Sequence, residues 1–538
     1  MNKKFLLLIT FSLLFQISAI AQSKIPHLKK QAGYTQLIVK DKPFLVLGGE
    51  LGNSTFTSVE SMAPVWPKLK AMNLNTVLAP VYWELIEPEE GKFDFKLLDD
   101  LIAESRKQDL KLVLLWFGSW KNSMSSHVPV WIKQNEEKYP RAKDEKYQGQ
   151  EILTPFSENN LQADLKAFRV LMQHIKETDS VHHTVIMVQP ENEIGMLPSA
   201  RDYHPLANEK FKADVPIELI RYLQKNKEQL VPEFFAVWKK NGFKTKGNWE
   251  EIFGKGYHTD EIFMAWYFAK FTEAVTKAGK EVYPLPMFVN AALIRPGKIP
   301  GEYPSAGPLP HLMDLWKAAA PSVDMLSPDF YNPDFEYWND LYVRQNNPLF
   351  VPEHRFDGTA AAKALFSIGH YRAIGFSPFS IESTNQPEKE NLGKVYRLVR
   401  EIEHLLTGDY GIDAVLLDKE KPQSTIVLGD YEFSFKNSYS LGWEAGATNE
   451  QWDFGSAVVI QTGEKEFYIA GSGVVATFKN QRQREKTVGI LKNEQGTFKN
   501  GKWEVHRHLN GDQTHQGRHV RIAHDVHQVL RLELYEYR

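Results

Sequence analysis

Between residues 43 and 379 one pattern recurs eight times: a short apolar run, a glycine-containing or polar break, then a stretch of helical periodicity. Runs that are short, apolar and rich in β-branched residues read as strands buried on both faces, the condition of a parallel sheet. The runs are Pro43–Leu47, Asn75–Pro80, Lys111–Leu115, Thr184–Val188, Met287–Asn290, Val323–Ser327, Pro348–Pro352 and Ile374–Phe379. Eight strand-then-helix units predict an α/β fold, a (β/α)8 TIM barrel over residues 27–408. In such a barrel the side chains at the C-terminal ends of the strands carry the chemistry.

The gaps carry helical patterns at Val59–Met72 and Glu388–Leu406. Between the fourth and fifth strands lies an insertion of about 85 residues, helical near Ile217–Trp238 and Ile262–Ala278, of the kind that roofs or narrows a site. After Gly408 the pattern becomes short strands between Gly, Asn and Asp turns: Ser424–Leu428, Tyr431–Phe435, Ala457–Gln461, Glu466–Ala470 and Val529–Leu534. That predicts a C-terminal β-sandwich domain over residues 409–538. Asn332-Pro333 and Ser377-Pro378 are candidates for special turns or a cis bond.

Residues 1–21 read as a signal peptide: basic Lys3-Lys4, an apolar centre from Phe5 to Phe15, and the small-x-small site Ala19-Ile20-Ala21. The apolar run is too short to span a membrane. The chain is therefore expected to be exported, periplasmic or secreted. Removing two lysines takes the net charge from -3 to -5, which gives no electrostatic case for nucleic acid. With no cysteine, disulfides, thiol catalysis and zinc–thiolate sites are excluded.

Two strands end in carboxylates. The fourth runs into Gln189-Pro190-Glu191-Asn192-Glu193 and the seventh into Glu353. In a ring of eight, strands four and seven face each other across the mouth, and paired carboxylates there suggest hydrolysis of a glycosidic bond. Glu193 is the acid/base candidate and Glu353 the nucleophile. Glu191 competes with Glu193, because residues i and i+2 of a strand share a face. Asn192 is placed to donate to a sugar 2-hydroxyl, and Tyr331, at the sixth strand's end, to orient Glu353. Glu50, Tyr82, Trp120, Lys121 and Trp131 complete the candidate substrate-binding set at strand ends. Six histidines between His506 and His527 are scattered through a polar β region, a pattern that does not point to a metal site; neither metal nor cofactor is expected.

These residues also carry a resemblance. Trp83-Glu84-Leu85-Ile86-Glu87-Pro88-Glu89-Glu90-Gly91-Lys92-Phe93-Asp94-Phe95, Pro190-Glu191-Asn192-Glu193-Ile194-Gly195 and Val128-Pro129-Val130-Trp131-Ile132 resemble motifs of glycoside hydrolase family 35, the β-galactosidases. The resemblance covers roughly residues 30–408, and Leu509–Thr514 is similar to the terminal β domain of a bacterial branch. It implies a retaining exo-β-galactosidase acting on terminal β-galactosides of an oligo- or polysaccharide, and it selects Glu193 over Glu191. One departure is visible: the family's C-A-E-W stretch is replaced by Gly118-Ser119-Trp120-Lys121-Asn122. A lysine there can bind a hydroxyl or an acidic group, so α-L-arabinopyranosides, β-glucosides and glucosaminides are alternative substrates. A non-catalytic glycan-binding protein is the alternative from another class.

Overall fold

The computed structural model describes residues 24–383 and 387–538, so the signal-peptide assignment lies outside the described residues. Parallel strands alternate with helices through the first part of the chain, and a β-rich region follows. In chain order the parallel strands are β1 (Val46–Leu47), β2 (Thr76–Tyr82), β3 (Lys111–Lys121), β4 (Val185–Asn192), β5 (Phe288–Ala292), β6 (Met325–Phe330), β7 (Val351–His354) and β8 (Gly375–Pro378). They form one sheet of β2-β3-β4 and another of β5-β6-β7-β8-β1. Isolated parallel bridges, Glu50–Leu78 and Val188–Met287, connect residues at the edges of the two sheets.

All eight predicted runs are strands, but most extend or shift toward their C-terminal ends. The largest change is in β3, which continues through Trp116–Lys121 and pairs Lys121 with Asn192 on β4. At the start, Lys42–Phe44 pairs back in a three-stranded antiparallel sheet with His27–Lys30 and Thr35–Val39, leaving only Val46–Leu47 for β1. Leu78, Val113, Leu115, Ile186, Phe288, Met325 and Phe350 pack into one buried cluster beneath the strand ends. This apolar floor gives the polar ends above it a fixed base.

Helices cover the strands from outside. Among them are α1 (Glu158–Asp179), α2 (Pro232–Lys240), α3 (Tyr257–Val282), α4 (Phe335–Tyr342), α5 (Ala360–His370) and α6 (Pro387–Leu406). The helix expected over Val59–Met72 is two short pieces, Val59–Met62 and Trp66–Ala71, separated around Pro64. The expected Ile217–Trp238 helix is likewise divided into Ile217–Lys225 and Pro232–Lys240, since Pro232 fits a helix's first turn and not its interior. The cis peptide among the described residues is Leu197–Pro198, not either of the two expected positions.

The β-rich region is antiparallel: a six-stranded and a four-stranded sheet between Gly411 and Tyr537. Its six-stranded sheet lies on α5, where the Gly369 position leaves no room for a side chain against Ala414 and Val458. No helix among the described residues is long and apolar enough to cross a membrane.

β8 and β1 approach closely at Gly375. A Cβ on Gly375 would stand 2.3 Å from Val46 Cβ and 2.4 Å from the Val46 carbonyl oxygen. Because backbone cannot give way there, Gly375→Ala is expected to lower the unfolding free energy by about 2–3 kcal/mol in urea denaturation.

Candidate active site

β4 presents its carboxylates through an unusual backbone. Glu191 and Glu193 both have positive φ, 62° and 44°, on either side of Asn192. Non-glycine residues held there cost about 1–3 kcal/mol each and break the alternation of strand side chains. The i/i+2 rule therefore fails at this strand end. Glu191 turns outward and Glu193 joins the other strand ends.

Glu191 is 1% exposed and accepts from Trp120 N–H at 2.8 Å. Its carboxyl meets Asp164 of α1, which accepts from Trp116 Nε1 at 2.8 Å and from Ser119 N–H at 3.1 Å. Burial, then the neighbouring Asp164, pushes Glu191 well above the usual carboxylate range; burial raises Asp164 too. Each of the two enclosed carboxyls therefore holds a proton more tightly than a carboxyl in water does. Glu191 is thus a fastening between β3, β4 and α1.

Glu193 is fixed by its backbone: its N–H donates to Asn290 Oδ1 at 2.9 Å and its carbonyl accepts from Ser123 Oγ at 2.7 Å. Asn290 Nδ2 in turn donates to Asp329 Oδ2 at 2.7 Å. One oxygen from each of Glu193, Asp329 and Glu353 lies within 4.8 Å of the other two. Glu353, 4% exposed, accepts a hydrogen bond from the Tyr331 hydroxyl. Glu50 joins them, hydrogen-bonded to Glu353.

Lys121 stands among these acids, its Nζ donating to Asn192 Oδ1 at 2.8 Å. Burial and then Glu193 push Glu353 up to about 7, against the pull of Lys121, Tyr331 and Glu50. Glu50 is pushed well above the ordinary range by burial and then by Glu353, and Asp329 by burial and then by Glu353. Asp329 Oδ1 and Asn192 Nδ2 are buried without a hydrogen-bond partner among the described residues. Glu193, Asp329 and Glu353 are also an oxygen set of the kind a divalent cation takes; the ammonium of Lys121 already supplies positive charge to Glu353 and Asp329.

The structure thus brings together Glu50, Lys121, Asn192, Glu193, Tyr331 and Glu353. Three candidates are corrected. Trp120 is fully buried and packs edge-on against Phe268 and Phe271 of α3. Trp131 donates to the Glu87 carbonyl at 3.1 Å and packs on Trp83 and Tyr139. Tyr82, 3% exposed, gives its hydroxyl to the Asn53 carbonyl at 2.8 Å. Each large ring finds more apolar contact inside the fold than at the mouth. The sequence reading missed Asn290, Asp329 and Asp164. Asp329 had a visible signal, a carboxylate in a buried run, hidden by ending the sixth strand at Ser327. Of the C-terminal histidines, His524 bonds Asn437 at 2.9 Å, His506 bonds Thr497 at 3.1 Å, and His515 stacks on His519.

Residues 36–255 match glycosyl hydrolases family 35, and residues 392–521 match a domain of unknown function (DUF5597). The resemblance carried by the motifs holds over the first of these stretches, which includes Glu193 and stops before Glu353. The chain is 28% identical over 177 residues to "Beta-galactosidase 14" of Arabidopsis thaliana, covering 31% of this chain and 18% of that protein. It is 27% identical over 172 residues to a "Beta-galactosidase" of Xanthomonas manihotis, covering 30% and 25%. The chain thus spans a quarter or less of the length of these relatives. A solved β-galactosidase of Marinomonas ef1 superposes with a TM-score of 0.46 at 12% identity, covering 66% of this chain and 60% of that one.

The division of labour at the end of β4 is open to measurement. Glu191→Ala removes the partner of Asp164 and of Trp120 N–H, and is expected to cost about 2–4 kcal/mol in urea unfolding. Glu191→Gln keeps a donor toward Asp164 and is expected to stay within about 1 kcal/mol of wild type.

Proposed function

We propose that this chain is an exported, retaining exo-β-galactosidase, a (β/α)8-barrel glycoside hydrolase that removes terminal β-galactosyl residues from glycans. The observation that carries the reading is the 4.8 Å limit on the separations of the Glu193, Asp329 and Glu353 oxygens. Retaining enzymes hold their two carboxyl groups about 5–5.5 Å apart, whereas inverting ones leave about 6.5–9.5 Å for a water. The local match to glycosyl hydrolases family 35 supports the same class.

In this mechanism Glu353 attacks the anomeric carbon while Glu193 delivers its proton to the departing oxygen. The first product leaves as an alcohol and a glycosyl ester on Glu353 remains. Glu193, now ionised, takes a proton from water, which displaces Glu353 and restores both groups. Lys121, Tyr331 and Glu50 favour the Glu353 anion against its burial. The unpartnered Asn192 Nδ2 is a free donor for the sugar 2-hydroxyl. Lys121, standing where the family has C-A-E-W, favours a second reading with another sugar, an arabinopyranoside, glucoside or glucosaminide. Export rests on residues 1–21, and periplasm or medium would both suit a glycan substrate.

Two experiments test the chemistry. Glu353→Ala is expected to abolish turnover of aryl β-galactosides, with azide giving a product of inverted configuration. Glu193→Ala should still release an activated phenol and be rescued by azide; full activity in either variant, or azide rescue of Glu191→Ala instead, overturns the assignment. A panel of aryl glycosides with NMR detection of the anomer identifies the sugar.

The pH dependence follows from Glu353. Its proton must be lost before attack, so kcat/KM is expected to fall on the acid side with a limb near 7. Tyr331→Phe removes a donor that holds this value down, and should move the limb up by about one pH unit. The native state also binds this proton more tightly than the unfolded chain does. Its stabilising contribution is complete below the ordinary value of 4.5 and is lost as pH rises through about 7.

A further inference from the structure

The C-terminal region carries two sequence features that the strand-end chemistry does not use: the Leu509–Thr514 motif and the histidines that follow it. The fold brings both to one place. Trp443 lies between the short 3-10 turns Ser438–Leu441 and Ala445–Thr448, far from them in sequence. Its ring centroid is nevertheless 6.0 Å from that of His515 and 6.5 Å from that of His519. Those two imidazoles stack on each other at 5.3 Å. Arg521 adds its guanidinium, 5.6 Å from the Trp443 centroid.

Trp443 is 58% exposed, and among the described residues no other tryptophan is exposed to that degree. Its loop is nonetheless tied down on both sides. Before it, Tyr439 stacks on His524 at 3.8 Å, its N–H donates to Asn437 Oδ1 at 3.0 Å, and Gly442 turns the chain with φ 75°. After it, Glu444 accepts from Arg521 Nη2 at 3.0 Å and from His524 N–H at 3.3 Å. The histidines are held as firmly. Asn510 Oδ1 caps the Gly511–Thr514 turn, and the N–H groups of Arg518 and His519 donate to the Thr514 carbonyl at 2.9 and 3.1 Å. A ring kept in water by its own anchored loop forgoes burial that would stabilise the fold. In return, little ordering is needed when a ligand lands on it.

Charge decides the class of ligand. Burial pushes the Glu444 carboxyl up, but its hydrogen-bond donors, Arg521 among them, hold it below the usual range, so Arg521 has its anion at hand. His519, 6% exposed, is pushed below the ordinary imidazole value by burial and then by His515 and Arg521, which favours its neutral form. The patch thus joins a flat apolar face to imidazole and guanidinium groups that form hydrogen bonds. A phosphate or uronate would meet a cation already paired. A pyranose ring suits both halves: its C–H face lies on an aromatic ring, and its hydroxyls donate and accept beside it.

We propose that Trp443, with His515, His519 and Arg521 beside it, is a platform for one sugar ring of a neutral polysaccharide, built from none of the strand-end residues. Such a platform holds a glycan chain and performs no chemistry. It stands whether or not the chain is a hydrolase.

The test is native electrophoresis of the full chain through gels containing soluble arabinogalactan, xylan or hydroxyethylcellulose, with polygalacturonate as an acidic counterpart. Retardation is expected with at least one of the neutral polysaccharides. Trp443→Ala is expected to weaken that binding about tenfold, and Trp443→Phe, which keeps a flat ring, to fall between. Unchanged thermal melting shows that both variants fold, and turnover of aryl glycosides should be the same in Trp443→Ala as in wild type. No retardation by any neutral polysaccharide overturns the platform, as does retardation that survives Trp443→Ala or that occurs with polygalacturonate alone. Loss of aryl-glycoside turnover in folded Trp443→Ala would put the ring in the catalytic site and overturn a separate platform. Binding is measured without turnover, so a chain that hydrolyses no glycoside of the panel yet is retarded through Trp443 loses the hydrolase reading and keeps the platform.

Discussion

Four buried carboxyls, Glu50, Glu193, Asp329 and Glu353, gather around the ammonium of Lys121, and the rest of the site follows from how they divide charge. Four anions and one cation cannot coexist in an enclosed space at neutral pH without prohibitive desolvation and repulsion. Burial and then the neighbouring Glu353 raise both Glu50 and Asp329 well above the ordinary carboxylate range, so each holds a proton more tightly than a carboxyl in water. The Glu353 anion, by contrast, has help. Glu353 has Tyr331, Glu50 and Lys121, three neighbours that each favour its anion. Under the proposed reading, the nucleophile is the acid whose anion these neighbours favour against burial.

That balance depends on register across two sheets. Glu193 follows β4 in one sheet and Glu353 lies in β7 of the other, and the sheets meet at the Glu50–Leu78 and Val188–Met287 bridges. A shift of one residue at either seam would turn the inward side chains outward. Asn290 makes the second seam exact in chemistry as well as geometry, receiving the Glu193 N–H and donating to Asp329. On the other side, the Glu191–Asp164 pair holds the tip of β3 to β4, which sets Lys121 against Asn192. The strained φ values of Glu191 and Glu193 persist because these contacts over-determine them.

The strands were legible because burial on both faces leaves apolar runs, and the runs place Glu50, Asn192, Glu193 and Glu353 at their ends. The length of β3 was not legible: Trp116–Lys121 mixes aromatic, glycine and polar residues, a composition that reads as a loop until its pairing with β4 is known. The separation of Glu191 from Glu193 was hidden for a related reason. Strand alternation predicts a shared face, and positive φ at a glutamate has no sequence signal comparable to a glycine. The tryptophans misled in the opposite direction. Trp120 and Trp131 follow or adjoin strand ends in sequence, yet their ring area is better satisfied against Phe268, Phe271, Trp83 and Tyr139. In the C-terminal region, strands such as Lys502–His508, exposed along most of their length, lack the alternation that would have revealed them.

Under the proposed reading, the same proton distribution bears on sugar choice. An ionised carboxylate only accepts hydrogen bonds, whereas a protonated carboxyl can also donate. Asp329 Oδ1 has no hydrogen-bond partner among the described residues, so it can meet a sugar hydroxyl. Lys121 is less free: its Nζ is held by Asn192 Oδ1 and its charge is committed to the neighbouring acids. An acidic sugar group would compete with Glu353 for that charge and weaken the help the nucleophile receives. The lysine therefore fits a neutral sugar better than an acidic one, and it acts on specificity through Asn192 and Glu353 as much as by touching the substrate.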